Sequence, residues 1–288
     1  MVLNNLGVAY NGQGRFQDAE GCHRKAFDMK RQLFGIRHPE TFVTMNNLAL
    51  SLQGQKQYAD AVGLFKSALR GRRMLLNADS LDVQISTSNL AVAYQIQGRY
   101  SKALEMFQSA LKGFQRLFSH NHPEILKCKG NIALVKNHQG HYEEAVVLLR
   151  EIFVVQKSTL PGAHPDILRT LRNLAVILHQ RCEYEKATVV IHESLAMEEV
   201  KYGKGNSRTF CTLQHLSVIL HEQKKFEQAL DIAMWLYESR RDDLGDDHTD
   251  TMCSMSHVKE LEGEMKLERK FGTASDICAS GSLRSMNL

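Results

Sequence analysis

The chain has 288 residues, 43% of them hydrophobic and 24% charged, with a formal net charge of +4. Those fractions belong to a folded, soluble protein, and so mild a charge gives no electrostatic argument for a nucleic-acid partner. No apolar run reaches the roughly 18 residues a membrane span needs, and Met1-Val2-Leu3-Asn4-Asn5 has no basic-then-apolar export pattern. The six cysteines are scattered without a CxxC pair, and no N-x-S/T sequon occurs, so the expected location is reduced and cytoplasmic.

A marker repeats along the chain at a constant 42-residue interval: Asn5-Leu6-Gly7, Asn47-Leu48-Ala49, Asn89-Leu90-Ala91, Asn131-Ile132-Ala133, Asn173-Leu174-Ala175 and, altered, His215-Leu216-Ser217. An aromatic follows each marker at a fixed offset (Phe16, Tyr58, Tyr100, Tyr142, Tyr184, Phe226), and then an alanine (Ala19, Ala61, Ala103, Ala145, Ala187, Ala229). A period in this range means a stacked array, in which each unit buries its apolar face only against its neighbours. The expected units are about 1–38, 39–80, 81–122, 123–164, 165–206 and 207–245.

The second unit shows the physics of one repeat. Thr41 to Gln53 carries Met45, Leu48, Ala49 and Leu52 at helical spacing, Gly54-Gln55-Lys56-Gln57 is a polar break, and Tyr58 to Leu76 carries a second apolar stripe. That is a helical hairpin. At the joints, His38-Pro39-Glu40, His122-Pro123-Glu124 and His164-Pro165-Asp166 place Pro at a first helical position with an acid facing the positive end of the helix dipole. Gly35, Gly203 and Gly245 stop the preceding helices.

The pattern resembles the tetratricopeptide repeat over residues 1 to about 245, carried in one unit by Leu48, Ala49, Tyr58, Ala61, Phe65 and Ala68. The usual unit is about 34 residues. The longer second helix, the Gly-x-x-His-Pro joint and the Asn-Leu-Ala marker resemble the kinesin-light-chain type. The resemblance implies an all-α, right-handed α-solenoid of helical hairpins whose first helices line the concave face. The chain's start inside a first helix reads as truncated or differently begun. At the other end, a polar capping helix is expected over 249–270, where His257-Val258-Lys259 replaces the marker, and a disordered Ser/Gly-rich tail over 271–288.

Residues spaced i, i+4, i+7 and i+11 share one helix face. Counted from four before each marker, they read Val43, Asn47, Leu50, Gly54; Ile85, Asn89, Val92, Ile96; Lys127, Asn131, Leu134, His138; and Arg169, Asn173, Val176, Gln180. The amide of each Asn can donate and accept, so a row of them suits the backbone of an extended peptide, and the resemblance implies such contacts. The alternative is that each Asn bonds a neighbouring helix. Lys127, Arg169 and Arg172 suggest a subsite for acidic residues, against the alternative of a solvated helix face.

Other chemistry is thin. Arg70-Gly71-Arg72-Arg73, the densest basic run, falls near a helix C-terminus, where cations complement the dipole. His120-x-His122 and His138-x-x-His141 have metal-like spacing without repeating acids or cysteines, and Cys211 with His215 lacks a third orienting group. No phosphate-binding loop, H-E-x-x-H or G-x-S-x-G motif occurs. The expectation is a non-enzymatic adaptor for an extended, acidic peptide or partner helix, without cofactor, metal, nucleic acid or membrane. The alternatives are the C-terminal sensor region of a larger nucleotide-switch protein and a structural subunit assembling through its second helices.

Overall fold

The structure is a computed structural model that describes the backbone of residues 2–282 and the side chains of residues 2–268. Thirteen helices, and no strand, are found among the described residues. They are α1 (Val2–Gly12), α2 (Phe16–Phe34), α3 (Pro39–Gly54), α4 (Tyr58–Leu75), α5 (Leu81–Ile96), α6 (Tyr100–Leu117), α7 (Pro123–His138), α8 (Tyr142–Thr159), α9 (Pro165–Gln180), α10 (Tyr184–Tyr202), α11 (Ser207–Glu222), α12 (Phe226–Leu244) and α13 (Thr249–Ser282). The fold is an all-α solenoid of helical hairpins. It divides into two compact units, Met1–Ile152 and Phe153–Leu288.

The repeating residues place the helix ends. Every second helix opens on the repeating aromatic, Phe16, Tyr58, Tyr100, Tyr142, Tyr184 or Phe226. The turn before it needs one left-handed residue, and the same register position supplies it each time: Gly14, Lys56, Gly98, Gly140, Cys182 and Lys224, all at positive φ. Gly54, in the polar break, is instead helical and has the Phe16 ring against it; an added Cβ would lie 2.2 Å from Phe16 Cδ1. At the Pro-containing joints the histidine caps the helix: Nδ1 of His38, His122 and His164 accepts the backbone N–H of Glu40, Glu124 and Asp166 at 3.2 Å. His248 repeats the cap with Asp250 N–H, without a proline.

In each unit the core is built from the repeat. The alanine column is fully enclosed, each member from Ala19 to Ala229 at 0% exposure, so two helices approach closely at every hairpin. In the first unit Phe65, Phe107 and Phe114 are buried, and in the second Ile167, Leu171, Ile177 and Leu178. Each such side chain contributes roughly 1.5–3 kcal/mol relative to its exposed state.

A polar column joins four of the six second helices to the next first helix. In the first unit Lys30 Nζ donates to Glu40 O at 3.4 Å, and Arg72 Nη1 donates to Asp82 O at 3.1 Å and to Ser86 Oγ. In the second unit Thr170 Oγ1 donates to Gln156 Oε1 at 2.8 Å, and Arg240 Nη1 donates to Ser254 Oγ at 2.6 Å. At the same register in the first unit Phe114 and Cys128 are both buried in one apolar cluster; the Cys128 thiol donates to Phe107 O at 3.3 Å, and burial pushes it up to about 12. The basic run at 70–73 falls in the last turns of α4, as its sequence position implied, and one of its arginines is also a buried joint: Arg72 is 5% exposed.

At the C-terminus α13 continues to Ser282, past the boundary at 270 where a tail was expected. The segment 271–282 contains no proline, and its glycines, Gly272 and Gly281, each disfavour a helix by only about 1 kcal/mol. The remainder of that expected tail, 283–288, lies outside the described residues.

Candidate peptide-binding faces

Each unit presents the face counted from the marker. In the first unit Val43, Asn47, Ile85, Asn89, Val92, Asn131 and Leu134 are half-buried, Leu50, Ile96, Lys127 and His138 are exposed, and the adjoining Leu48, Ala49, Leu90, Ala91, Ile132 and Ala133 are buried. In the second unit Arg169 and Asn173 are half-buried and Val176 and Gln180 are exposed, beside buried Leu174 and Ala175. The positions reach solvent over an apolar floor, the condition for a contact surface.

The asparagines divide into two groups. Asn47 Nδ2 donates to Asn4 Oδ1 on α1 at 3.1 Å, and Asn89 Nδ2 donates to Asn46 Oδ1 on α3 at 3.2 Å. These two stitch adjacent first helices together and keep one carbonyl oxygen and one N–H for a ligand. Asn131 and Asn173 make no such bond among the described residues. The difference lies in the residue one before the preceding marker: Asn4 and Asn46 offer an amide oxygen, whereas Asn131 has Ser88 at the equivalent position.

The basic residues are internally paired. Lys127 Nζ lies 4.0 Å from Glu124, and Arg169 Nη2 lies 2.9 Å from Asp166 Oδ1. Both acids are the first-turn residues of their own helices, so one carboxylate serves the dipole and the base at i+3. Arg172, 53% exposed at its side chain, has Nη2 3.9 Å from Oε1 of Glu198, a buried residue of α10.

Two features escaped the sequence. Where His replaces Asn at the marker, imidazoles meet: His215 Nε2 lies 3.4 Å from His179 Nδ1, and His257 Nε2 lies 3.1 Å from Ser217 Oγ with its ring 6.0 Å from that of His221. Burial, and then the neighbouring His179, hold His215 below the usual histidine range. The signal was present, as His at marker positions 215 and 257, but its partners sit on other helices. The second feature is Glu198, buried at a register position whose residue type changes from unit to unit.

The metal-like pairs are occupied otherwise. His122 caps α7 and stacks on Phe118 at 3.7 Å, and His138 stacks on Tyr100 at 4.9 Å. No group of three His, Cys, Asp or Glu residues that could hold a metal is found among the described residues. Among them, too, no helix is long and apolar enough to cross a membrane.

The repeated hairpin, its register and its capping joints agree with comparison to known proteins. The family model described as tetratricopeptide repeat matches residues 1–74, 82–157 and 166–242. The chain belongs to the tetratricopeptide repeat family. Among solved structures of this fold, the kinesin-light-chain-type, nearly identical repeats of Podosopora anserina are 22% identical, cover 70% of this chain and 95% of that one, and give a TM-score of 0.58. BtubC (BKLC) of P. vanneervenii is 19% identical over 80% of this chain and 92% of its own, at a TM-score of 0.68. NprR, solved with its cognate peptide NprX, is 16% identical over 100% of this chain and 78% of its own, at 0.57. No curated protein sequence matches the chain. These likenesses describe the tetratricopeptide fold, including the kinesin-light-chain form of the repeat.

Proposed function

We propose that this tetratricopeptide repeat protein is a non-enzymatic interaction scaffold that holds an extended peptide, or a partner helix, on the faces of its first helices. One observation carries the reading: Asn131 and Asn173 sit half-buried beside Leu134 and Val176 without the inter-helix bonds that occupy Asn47 and Asn89. A buried-edge amide with open donor and acceptor suits a peptide backbone, whose N–H and C=O groups are the same in every sequence. A preference for acidic residues rests on Lys127 and Arg169, whose partners are exchangeable surface carboxylates of their own helices. NprR, which binds a peptide with this fold, supports a second reading in which the repeats form the ligand-responsive part of a larger sensor.

The test is selection from a displayed peptide library, followed by fluorescence polarisation on the selected peptides at two salt concentrations. Asn131→Ala and Asn173→Ala should weaken unrelated peptides alike, and Arg169→Glu should weaken acidic ones alone, more at low salt. Unchanged binding in all three variants would place the ligand on the second helices and end this reading.

A further inference from the structure

The polar column that joins second helix to first helix fails at one place. At this register position Lys30, Arg72, Gln156 and Arg240 find hydrogen-bond partners on the next helix, and Phe114 is a buried apolar side chain with no polar group to satisfy. Glu198 is the exception. Neither of its carboxylate oxygens has a hydrogen-bond partner, although the residue is 0% exposed. One turn earlier on α10, Ser194 is 3% exposed, and its Oγ has no partner either. Buried polar atoms are rarely left so, and the open Ser194 hydroxyl marks a place where something else bonds.

Ser194 lines a cavity, and Glu198 lies outside its lining. A space of about 210 Å³ lies between α9, α10 and α11, with Ser194, Arg172, Thr212 and His215 supplying polar groups and Val176 and Ile191 apolar walls. Arg172 Nη2 stands 3.9 Å from Glu198, too far for a hydrogen bond, so its N–H donors remain open to the cavity. The charges nonetheless offset each other. A carboxylate entering the cavity is attracted by Arg172 and repelled by Glu198 behind it, and an ammonium meets the same pair with the signs reversed. A neutral group carrying both an acceptor and a donor avoids the conflict: its oxygen accepts from Arg172 and its N–H donates to Ser194 Oγ.

We propose that this cavity is a carboxamide subsite, taking a glutamine or asparagine side chain with its methylenes against Val176 and Ile191. The inference rests on the peptide-binding reading and names what the second unit recognises in that peptide. Glu198 is a positioning residue here: it sets the charge of the subsite through Arg172 and does not touch the ligand. The choice of amide over acid therefore depends on it.

Capped single residues test this without a peptide. N-acetyl-glutamine-N-methylamide, with the glutamate, lysine and leucine counterparts, is titrated into the full chain with its Ile, Leu and Val methyl groups labelled. The glutamine compound should shift the methyl signals of Val176 and Ile191 and bind at least about tenfold tighter than the glutamate one. In Glu198→Gln the preference should invert, because Arg172 then acts uncompensated; in Ser194→Ala glutamine binding should weaken and glutamate binding stay as it was. Thermal melts establish that each variant folds, and the wild-type ranking decides alone for any variant that does not. Equal or tighter binding of glutamate or lysine by the wild type, or no methyl shift with any compound, overturns the subsite. Library-selected peptides that still bind in that case leave the scaffold reading standing, so the two failures are distinguishable.

Discussion

Arg240 on α12 donates to Ser254 Oγ on α13 at 2.6 Å, and each residue stands at the register position that Arg72 and Ser86 occupy in the first unit. The two guanidiniums are buried, at 6% and 5% exposure, and each also reaches a backbone carbonyl of the next helix, Asp250 O or Asp82 O. A stacked array depends on such joints, because its units have little stability apart from their neighbours. Arg72→Ala should destabilise the protein by about 1.5–3 kcal/mol, the range for hydrogen bonds to a charged group. A double-mutant cycle with Ser86→Ala in urea unfolding should return a coupling on the order of 1 kcal/mol. Zero coupling would mean the joint is packing alone.

The hairpin turns carry a different liability. Lys56, Cys182 and Lys224 hold φ values of 64°, 58° and 60°, where the other three turns use glycine. A side chain in this region costs about 1–2 kcal/mol, and glycine returns part of that as unfolded-state entropy. Lys224→Gly should therefore raise the melting temperature modestly, and Gly98→Ala should lower it. A lower melting temperature for Lys224→Gly would contradict the turn geometry.

How much of this was legible in sequence depends on whether a residue type repeats. The aromatic at Phe16 through Phe226 and the alanine at Ala19 through Ala229 recur without change, so they gave the hairpins, and the structure begins each second helix at that aromatic. The joint column reads Lys30, Arg72, Phe114, Gln156, Glu198 and Arg240, so no single type announces it; only the pairing of Arg72 with Ser86, Gln156 with Thr170 and Arg240 with Ser254 gives it meaning. The Asn marker was visible, but whether Asn47 faces a ligand or Asn4 depends on a neighbour in the preceding repeat. The face count named the positions and could not tell which amides were already bonded to a neighbouring helix.

Stability should fall between about pH 7.5 and 5.5. Burial holds His23 below the usual histidine range, and burial together with His179 does the same for His215. The folded state thus keeps both rings neutral while the unfolded chain takes up protons below its ordinary value near 6.5. Their contribution is complete above that value and is lost as pH falls below it toward the lowered folded-state values. Carboxylates such as Glu40, held low by the Lys30 hydrogen bond, lose theirs only at more acidic pH, below this window. Circular dichroism melts should show a drop of a few degrees over the interval, and a pH-independent melting temperature would show that neither ring is kept neutral.

The two classes of marker asparagine make opposite demands on the same substitution. Asn89 spends an N–H on Asn46 across two first helices, and its removal strands the Asn46 carbonyl oxygen in a residue only 7% exposed. Asn89→Ala should therefore lower unfolding stability by about 1–3 kcal/mol, the penalty for leaving a buried acceptor unmet. Asn131 has no such bond to lose, and alanine is the better helix former, so Asn131→Ala should be neutral or slightly stabilising. Peptide affinity should move the other way, falling in Asn131→Ala while the Asn89 variant keeps its ligand contacts at the remaining marker positions. Denaturant unfolding and fluorescence polarisation on the same two proteins separate these effects. Equal stability losses in both variants would mean that Asn131 is a structural amide like Asn89, bonded to a neighbouring helix.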